Sequence, residues 1–506
     1  MASDPQSHVD DAQPPPAVLG YADALSMLDG RLHPMTMVVS LIRAVQSLLP
    51  IILVAVFLRA SGRSSDFVEL IVGALGLLRV VGAIILVRTY RFWIEGSSLL
   101  IRSGLIFHNR RAIPLDRIQN INLKRDWIHQ ALGLAEVQVE TAGGAGAEAT
   151  LSSLSVAQAE LFRRQLLGLK DDRGASTAPM LPAQVVYQAG IGRLLLAGAT
   201  RNQAGAVIAA IIGFGVWVGD LAGWDVNRGL IRRWTRQLPH LAAKWVGLAM
   251  GVAALLIVGW IVSMARSVIT FYGFTLSRQE GRLRRNYGLF TKRDSVFPTH
   301  RLQLLRIEAP LIQRKVGFCR VTAETAGSFA EKEGAATSEL CPIIESRRVG
   351  EVCRLVIDDL DLATIPWQKV SRLTIRRAAL RYLLGLAMVT AVATLNTRYG
   401  AWLAAAAPLM VWAAILRFRA LRWAATPRLI ILRSGAWTRQ IQIIPRNKIQ
   451  HTSLTQTPFQ RRLGLATLGI RTAGGGVGGS GIRIPDLPAA VALDTQDDLM
   501  RRAAGA

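Results

Sequence analysis

Pro114–Leu–Asp–Arg–Ile118–Gln119 is the stretch that decides the fold, because the same pattern occurs three times along the chain. The second copy is Pro298–Thr–His–Arg–Leu302–Gln303, and the third is Pro445–Arg–Asn–Lys–Ile449–Gln450. In each copy a glycine stands ten residues before the proline, another stands nineteen after it, and a Thr–Ala–Gly triplet begins twenty-seven after it. Four positions that agree in one register three times predict one small domain in triplicate.

The residues that recur are predicted to be framework positions. Glycines of this kind suit turns that need positive φ, and a proline suits the first residue of a strand. The framework set is Gly104, Pro114, Gln119, Gly133, Gly288, Pro298, Gln303, Gly317, Gly435, Pro445, Gln450 and Gly464. Asp116 has His300 and Asn447 as its counterparts, which argues against a shared acidic functional group.

Short strand-like runs follow one another in the first copy, and an amphipathic helix closes it. The runs are Leu99–Arg102, Gly104–Ile113, Ile118–Leu123, Leu134–Glu140 and about 147–151. The helix is Val156–Leu167, with counterparts near Arg347–Asp358 and Ala489–Ala503. Several short antiparallel strands followed by one helix predict a small β-barrel with a C-terminal helix over one open end.

Long apolar runs precede every copy. Apolar residues make up 51% of the chain, and the formal net charge is +26. A nucleic-acid-binding protein would explain the charge but not the apolar runs, so the combination favours a membrane protein whose basic side faces anionic lipid. Six runs of about 20 residues predict six transmembrane helices in three pairs. They lie at about 37–58, 67–87, 204–221, 242–264, 379–395 and 400–416. The predicted fold class is an α+β membrane protein in which each pair precedes one barrel.

The predicted organisation alternates helix pairs and barrels. A disordered tail is expected at 1–30, helix pairs at 31–88, 201–266 and 379–417, barrels at 89–170, 267–358 and 418–506, and linkers at 171–200 and 359–378. The loops on the far side of the predicted spans hold seven of the 60 lysines and arginines. Positive charge therefore predicts a multi-pass protein of the inner (plasma) membrane with its barrels in the cytoplasm.

Basic residues crowd the first hairpin of the first two barrels. The set is Arg102, Arg110, Arg111, Arg282, Arg284, Arg285, Lys292 and Arg293. Two interpretations stay open: a rim that binds anionic headgroups or a protein partner, and a solvated face that lies near lipid. Within the apolar runs, Arg43 and Arg79 predict either a basic niche for a lipid phosphate or side chains that extend to the membrane surface.

Patterns typical of catalysis or metal binding are absent from the sequence. The seven histidines form no His-x-x-x-His or Cys/His cluster, and the glycine run at 474–481 lacks the Gly-Lys-Ser/Thr ending of a phosphate-binding loop. Cys319, Cys341 and Cys353 show no Cys-x-x-Cys spacing and fit buried thiols in a reducing compartment. We therefore expect no catalytic residue, no cofactor and no metal ion.

The repeat resembles that of a known family. The Gly104…Pro114–Leu–Asp116–Arg117–Ile118–Gln119…Gly133…Thr141–Ala142–Gly143 pattern, its two further copies and the preceding helix pairs are similar to bacterial membrane proteins with pleckstrin-homology-like (PH-like) domains, the YdbS/YdbT type. The resemblance covers about residues 30–505 and implies a seven-stranded, helix-capped fold. It brings no catalytic residues, and the fold alone does not determine a ligand.

These features together predict a non-enzymatic membrane scaffold that presents three PH-like domains to the cytoplasm. The expected partners are proteins, with a smaller membrane protein of the same family as one candidate, and anionic lipid headgroups; no nucleic acid is expected. A role in envelope stress resistance extends this hypothesis. The alternative is a lipid-handling or small-molecule transporter, although the apolar runs lack the acidic pairs and interrupted helices typical of coupled transport.

Overall fold

Helix pairs and β domains alternate along the chain in the computed structural model. It describes residues 30–60, 66–104, 108–141, 147–171, 184–200, 241–279, 281–325, 339–357, 360–396, 400–472 and 481–504. Domain 1 is formed by β1 (Gly30–Arg31), α1 (Thr36–Ala60), α2 (Asp66–Thr89), β2 (Arg91–Glu95), β3 (Ser98–Ser103), β4 (Asn109–Pro114), β5 (Ile118–Arg125), α3 (Trp127–Ala131), β6 (Leu134–Thr141), β7 (Ala147–Ser155) and α4 (Val156–Asp171).

Domains 2 and 3 repeat this order. Domain 2 is formed by β8 (Gln184–Gln188), α5 (Ile191–Thr200), α6 (Leu241–Phe271), β9 (Thr275–Gln279), β10 (Arg282–Tyr287), β11 (Lys292–Pro298), β12 (Leu302–Pro310), α7 (Leu311–Lys315), β13 (Phe318–Thr325), β14 (Glu339–Glu345) and α8 (Val349–Val356). Domain 3 is formed by β15 (Gln368–Lys369), α9 (Leu373–Asn396), α10 (Ala407–Ala420), β16 (Arg422–Ala425), β17 (Leu429–Ser434), β18 (Thr438–Pro445), β19 (Ile449–Thr455), α11 (Pro458–Arg462), β20 (Leu465–Thr472), β21 (Gly481–Pro488) and α12 (Ala489–Ala504). Each domain has its first strand ahead of its helix pair, so the segments expected to be linkers contribute β8, α5 and β15.

The three domains are joined through shared sheets. One seven-stranded sheet has the order β7-β6-β5-β11-β10-β9-β8, and another has the order β14-β13-β12-β18-β17-β16-β15. The last three strands of one domain therefore continue into the first four strands of the next. The domains form a row with hydrogen-bonded junctions, not separate units on flexible connections.

The second shared sheet is buried on both faces where it crosses domain 3. Ile430 and Leu432 of β17 pack in the core of domain 3, whereas Leu429 and Ile431 pack in the core of domain 2. A strand that is covered on both faces has a continuous apolar sequence instead of an alternating one. The run Leu429–Ile–Ile–Leu432 has that form, and it couples the stability of domain 3 to domain 2.

The repeated glycines and prolines mark the turns. Gly288 and Gly435 have φ values of +113° and +85°, and the four other repeated glycines also have positive φ, which confirms the turn prediction. The prolines occupy a different place from the one predicted. Each is the last residue of its strand and precedes a short 3-10 turn, because a φ near −60°, as in Pro114 (−59°), suits the entry to such a turn.

The prediction of six transmembrane helices in three pairs is wrong. Among the described residues, two helices are long and apolar enough to cross a membrane: Leu373–Leu395 and Gly400–Ala420. Only 6% of each apolar window is buried within the protein, which distinguishes these helices from the core helices of a soluble domain.

Three further apolar segments among the described residues are shorter than the roughly 20 residues that a crossing helix needs. They are Thr36–Ile52, Ile191–Thr200 and Leu256–Phe271. Hydropathy overestimates the length of α1 that is available to cross a membrane, because α1 begins against domain 1, where Val39 packs on Ile128 and Leu134. The run predicted at 204–221 and residues 1–29 of the predicted tail lie outside the described residues.

Candidate functional site

A cavity of about 890 Å³ opens between the third helix pair and domain 3. Residues of α9, α10, the β17–β18 hairpin and strands β19, β20 and β21 line it. The apolar segment Leu373–Leu395 lies in α9, whereas Gly400–Ala420 consists of a 3-10 helix (Gly400–Ala406) followed by α10. The cavity therefore lies beside the two segments that are suited to cross a membrane.

Three arginines line this cavity, and among the described lining residues there is no carboxylate. Arg417 lies in the last turn of α10 and donates a hydrogen bond to the Tyr382 hydroxyl (3.3 Å). Arg471 on β20 and Arg483 on β21 are diagonal neighbours, since Arg483 is paired with Gly469 and Arg471 with Gly481. Diagonal neighbours on one sheet face lie about 7–8 Å apart. Planar guanidinium groups carried by neighbouring positions of one sheet face suit a phosphate or carboxylate.

The tip of the β17–β18 hairpin forms another wall of the cavity. Trp437 lies at this tip and is 65% exposed. Tryptophan is enriched at membrane–water interfaces because its ring is apolar and its N–H is polar. The cavity thus combines cationic groups with an exposed aromatic side chain.

The equivalent hairpin of domain 2 is closed onto its helix. The Gly288 N–H donates to the Tyr272 carbonyl (2.9 Å), and the Leu289 N–H donates to the Ile269 carbonyl (3.1 Å). These bonds satisfy carbonyl groups at the C-terminal end of α6, which have no partner within the helix. In domain 3 the corresponding elements border a cavity, so this site differs from its counterpart in domain 2.

Arg43, predicted to lie in an intramembrane niche, binds domain 1 instead. Its guanidinium donates to Asp126 (2.9 Å) and to Glu136 (3.2 Å). Arg79 is exposed on α2. The structure therefore gives Arg43 a carboxylate environment that does not suit a lipid phosphate.

A buried polar residue lies at this helix–domain contact in every domain, fifteen residues after the repeated proline. It is His129, Gln313 or Gln460, each at most 3% exposed. The Gln313 amide donates to Thr200 of α5 (2.8 Å). The Gln460 amide donates to Asp486 (2.9 Å), whose carboxylate is ion-paired with Arg377 of α9. The first helix of each pair is thus held on its own domain by polar contacts.

We predict that the Arg43–Asp126 contact makes stability depend on pH in the acid range. Burial alone raises the pKa of the Asp126 carboxyl, but hydrogen bonds from the His129 backbone N–H and from Arg43 lower it to about 2. Because this pKa lies below the value of about 4 for an unfolded chain, the stabilisation is complete above about pH 4 and is lost as the pH falls through about 2. Asp126→Asn should therefore lower the free energy of unfolding by about 2 kcal/mol at pH 7. Unfolding of the full chain in detergent measures this, and an equal loss at pH 2 and pH 7 would contradict it.

The basic residues predicted around the first hairpins do not form one rim. Arg102, Arg110, Arg111 and Lys292 are exposed. Arg284 is ion-paired with Asp294, while Arg285 is 4% exposed and lies over the Tyr287 ring. The basic set of domain 2 lies on β10 and on β11, the strand that pairs with β5 of domain 1, so much of it belongs to the junction between two domains.

The framework glutamines also have different surroundings. Gln303 is buried, at 6% exposed, whereas Gln450 is exposed. They do not share a site. The cavity arginines are residues that sequence reasoning missed. A usable signal was their position, since Arg417 ends an apolar run and Arg471 and Arg483 flank the glycine-rich segment.

Comparisons with known proteins agree with this architecture. The sequence profile of a family described as Bacterial PH domain matches residues 41–170, 237–354 and 373–503. The UPF0699 transmembrane protein YdbT of Bacillus subtilis (strain 168) is 25% identical over 466 residues, which cover 87% of this chain and 91% of that relative. No solved structure matches the chain significantly. Because the three profile matches together cover most of its length, the chain belongs to the bacterial PH domain family and is a membrane protein of the YdbS/YdbT type.

Proposed function

We propose that this protein is a non-enzymatic scaffold of the inner membrane whose third PH-like domain binds the phosphate of an anionic lipid headgroup. The cavity lined by Arg417, Arg471 and Arg483 is the observation that supports this function. In this proposal the segments Leu373–Leu395 and Gly400–Ala420 cross the membrane, and the three domains lie on the cytoplasmic side.

The electrostatics of the cavity favour a headgroup over a neutral ligand. The cytoplasmic leaflet is anionic, and each basic residue near it contributes about 1 kcal/mol to attraction. Hydrogen bonds to charged groups contribute about 1.5–3 kcal/mol each. Arg417 belongs to the helix end and the other two arginines to the β19–β20–β21 sheet, so one phosphate would be held by the membrane segment and the domain together.

The row of domains also offers a surface for protein partners. A smaller membrane protein of the same family remains a candidate partner, and resistance to envelope stress is the physiological role that we attach to the scaffold. The partner and the physiological role are compatible with the headgroup site, since a scaffold that lipid holds at the leaflet can present its other domains to proteins.

We predict that the double substitution Arg471→Gln, Arg483→Gln weakens binding of phosphatidylglycerol to the full chain at least tenfold, because two charge-assisted hydrogen bonds are lost. Native mass spectrometry of the protein in neutral detergent, titrated with phosphatidylglycerol or phosphatidylcholine, measures this. Inorganic phosphate, titrated in parallel, tests whether the lipid tails are needed.

The matched control is Arg461→Gln, Arg462→Gln. These exposed arginines of α11 lie outside the lining of the cavity, so the control removes equal charge from the same domain. We expect less than about a twofold change for the control, since Arg461 and Arg462 do not line the cavity and contribute only screened, long-range attraction. Equal weakening by both double variants would show that net charge, not the cavity, attracts the lipid.

A further inference from the structure

The first and last domains of the row each have an end strand whose equivalents in the other domains form the junctions between domains. The described strands include two smaller sheets, with the orders β1-β2-β3-β4 and β19-β20-β21, so β4 and β19 each lie at the end of a sheet. In the other domains, the counterparts of β4 are β11 and β18, and the counterparts of β19 are β5 and β12. Those counterparts pair with each other at both junctions, β5 with β11 and β12 with β18. The two ends of the row are therefore the two halves of the same interface.

Both junctions use one register when residues are counted from the repeated prolines. Ile121, seven residues after its proline, is paired with Val296, two residues before the proline of domain 2. Leu305, seven residues after its proline, is paired with Ile443, two residues before the proline of domain 3. An interface that recurs in the same register is a property of the repeat unit, and the end strands carry the same repeat.

This register makes a definite assignment for the two ends. It sets Leu454 of β19 opposite Arg110 of β4, and Thr455 opposite Asn109. The side chains of Asn109, Arg110 and Thr455 are exposed. Sheet ends of this kind are the usual templates for pairing with another chain.

Charges across the junction between domains 1 and 2 show what a partner must carry. Arg163 of α4 is 3.1 Å from Asp294 of β11. Arg284 of β10 is 3.6 Å from Glu160 of α4. The closing helix of one domain therefore pairs electrostatically with the first sheet of the next.

At the two ends of the row the charges have the opposite signs to those at the junction between domains 1 and 2. The helices α4 and α12 begin at equivalent positions, since Val156 and Ala489 donate their backbone N–H groups to the repeated glycines Gly133 and Gly464. Counted from these starts, the position of Arg163 corresponds to residue 496, which the exposed Asp494 and Asp497 flank. On the opposing side, β4 has Arg110 where β11 has Asp294. A basic first sheet and an acidic closing helix on one chain fit each other.

We propose that β19 of one copy of this chain pairs with β4 of a second copy, so that the rows of three domains join head to tail. A second copy carries both the strand in the required register and the complementary charge. Such an interface is heterologous, so it closes into a ring or continues as a filament, depending on the rotation between copies.

Cysteine crosslinking between two differently tagged full-length copies tests this proposal. One copy carries Asn109→Cys and the other carries Thr455→Cys, and both are co-expressed in native membranes. A parallel experiment uses Arg110→Cys with Leu454→Cys, because adjacent antiparallel pairs alternate between close and wide Cα spacing and one of the two suits a disulfide. The resident thiols are buried, and burial raises the pKa of Cys319 and of Cys353 to about 12, which keeps the background low.

The off-register control pairs Asn109→Cys with Gln450→Cys. Gln450 is exposed on the same strand as Thr455 but about 17 Å along it, at about 3.4 Å per residue. We expect a dimer that contains both tags for at least one in-register pair, with at least a tenfold higher yield than for the control. Absence of that dimer for both pairs, equal yield in the control, or crosslinks exclusively to a different protein would overturn the proposal.

Charge reversal supplies an independent readout. Arg110→Asp in the copy with Asn109→Cys is expected to reduce the crosslinking yield several-fold, and Asp494→Arg with Asp497→Arg in the other copy is expected to restore it. Recovery requires both variants to fold, so it separates loss of the interface from loss of structure. A reduction that the second change does not reverse would contradict pairing of β4 with the end of the row that carries α12.

Discussion

Replacing Asp486 with alanine is expected to lower the free energy of unfolding of domain 3 by about 3–5 kcal/mol. The Asp486 side chain is 3% exposed, and its ion-pair partner Arg377 on α9 is 16% exposed. The same carboxylate accepts a hydrogen bond from the Gln460 amide at 2.9 Å. Alanine would leave a mostly buried guanidinium without its counter-charge and the buried Gln460 amide without its Asp486 acceptor. Removal of one partner is the change for which a buried ion pair has its largest effect.

Denaturant unfolding of the full chain in detergent measures this loss. Asp486→Asn distinguishes the effect of losing the charge from the effect of backbone strain. Asp486 has a φ of +58°, which asparagine also tolerates, so this variant removes only the charge. The matched control is Glu351→Gln, which removes a carboxylate that is 67% exposed and 3.5 Å from Arg348. We expect the control to change the free energy by less than about 1 kcal/mol. An Asp486→Ala protein with the wild-type midpoint would show that this ion pair does not hold α9 on domain 3.

Gly435→Val is expected to destabilise the β17–β18 hairpin by about 3 kcal/mol or more. Gly435 has a φ of +85°, and a Cβ at this position would lie 1.8 Å from the Thr438 carbonyl oxygen. The left-handed region costs an L-residue about 1–2 kcal/mol, and a backbone atom of the facing strand cannot move aside as a flexible side chain can. The strands must therefore separate at the tip that borders the cavity.

Hydrogen exchange of the full chain locates this effect, since it should be largest in residues 429–445. Gly464→Asn is the matched control, because Gly464 also has a positive φ (+64°) but a Cβ added there would have no neighbouring atom within 4 Å. Asparagine tolerates this conformation, so a loss below about 1 kcal/mol is expected. Wild-type protection of the hairpin in Gly435→Val would mean that the turn accommodates a side chain.

The repeat and its turns could be predicted from the sequence, whereas the shared sheets could not. Glycines at fixed offsets indicate turns with positive φ. This requirement is local to each turn and does not depend on how the domains are arranged. Pairing of β5 with β11 joins residues 118–125 to residues 292–298 and leaves no local pattern. The first strand of each domain was also hidden, since β1 and β15 have two residues each.

The charged residues were harder to interpret because their partners are distant in sequence. In the sequence Arg43 is a single cation within an apolar run, because its carboxylate partners Asp126 and Glu136 follow 83 and 93 residues later. The cavity arginines come from α10, β20 and β21, which only the folded chain brings together. Hydropathy also counts apolar residues that pack on a domain, such as Val39, as though they faced lipid.

The headgroup site is tested most directly by a photo-crosslinking amino acid at position 437 of the full chain in native membranes. Trp437 is exposed at the hairpin tip and lines the cavity, so a probe there samples what occupies it. We predict a covalent adduct with anionic phospholipid that decreases at least tenfold in the Arg471→Gln, Arg483→Gln protein and persists in the Arg461→Gln, Arg462→Gln protein. Adducts with protein alone, or a lipid adduct of equal yield in all three proteins, would contradict a lipid phosphate in this cavity.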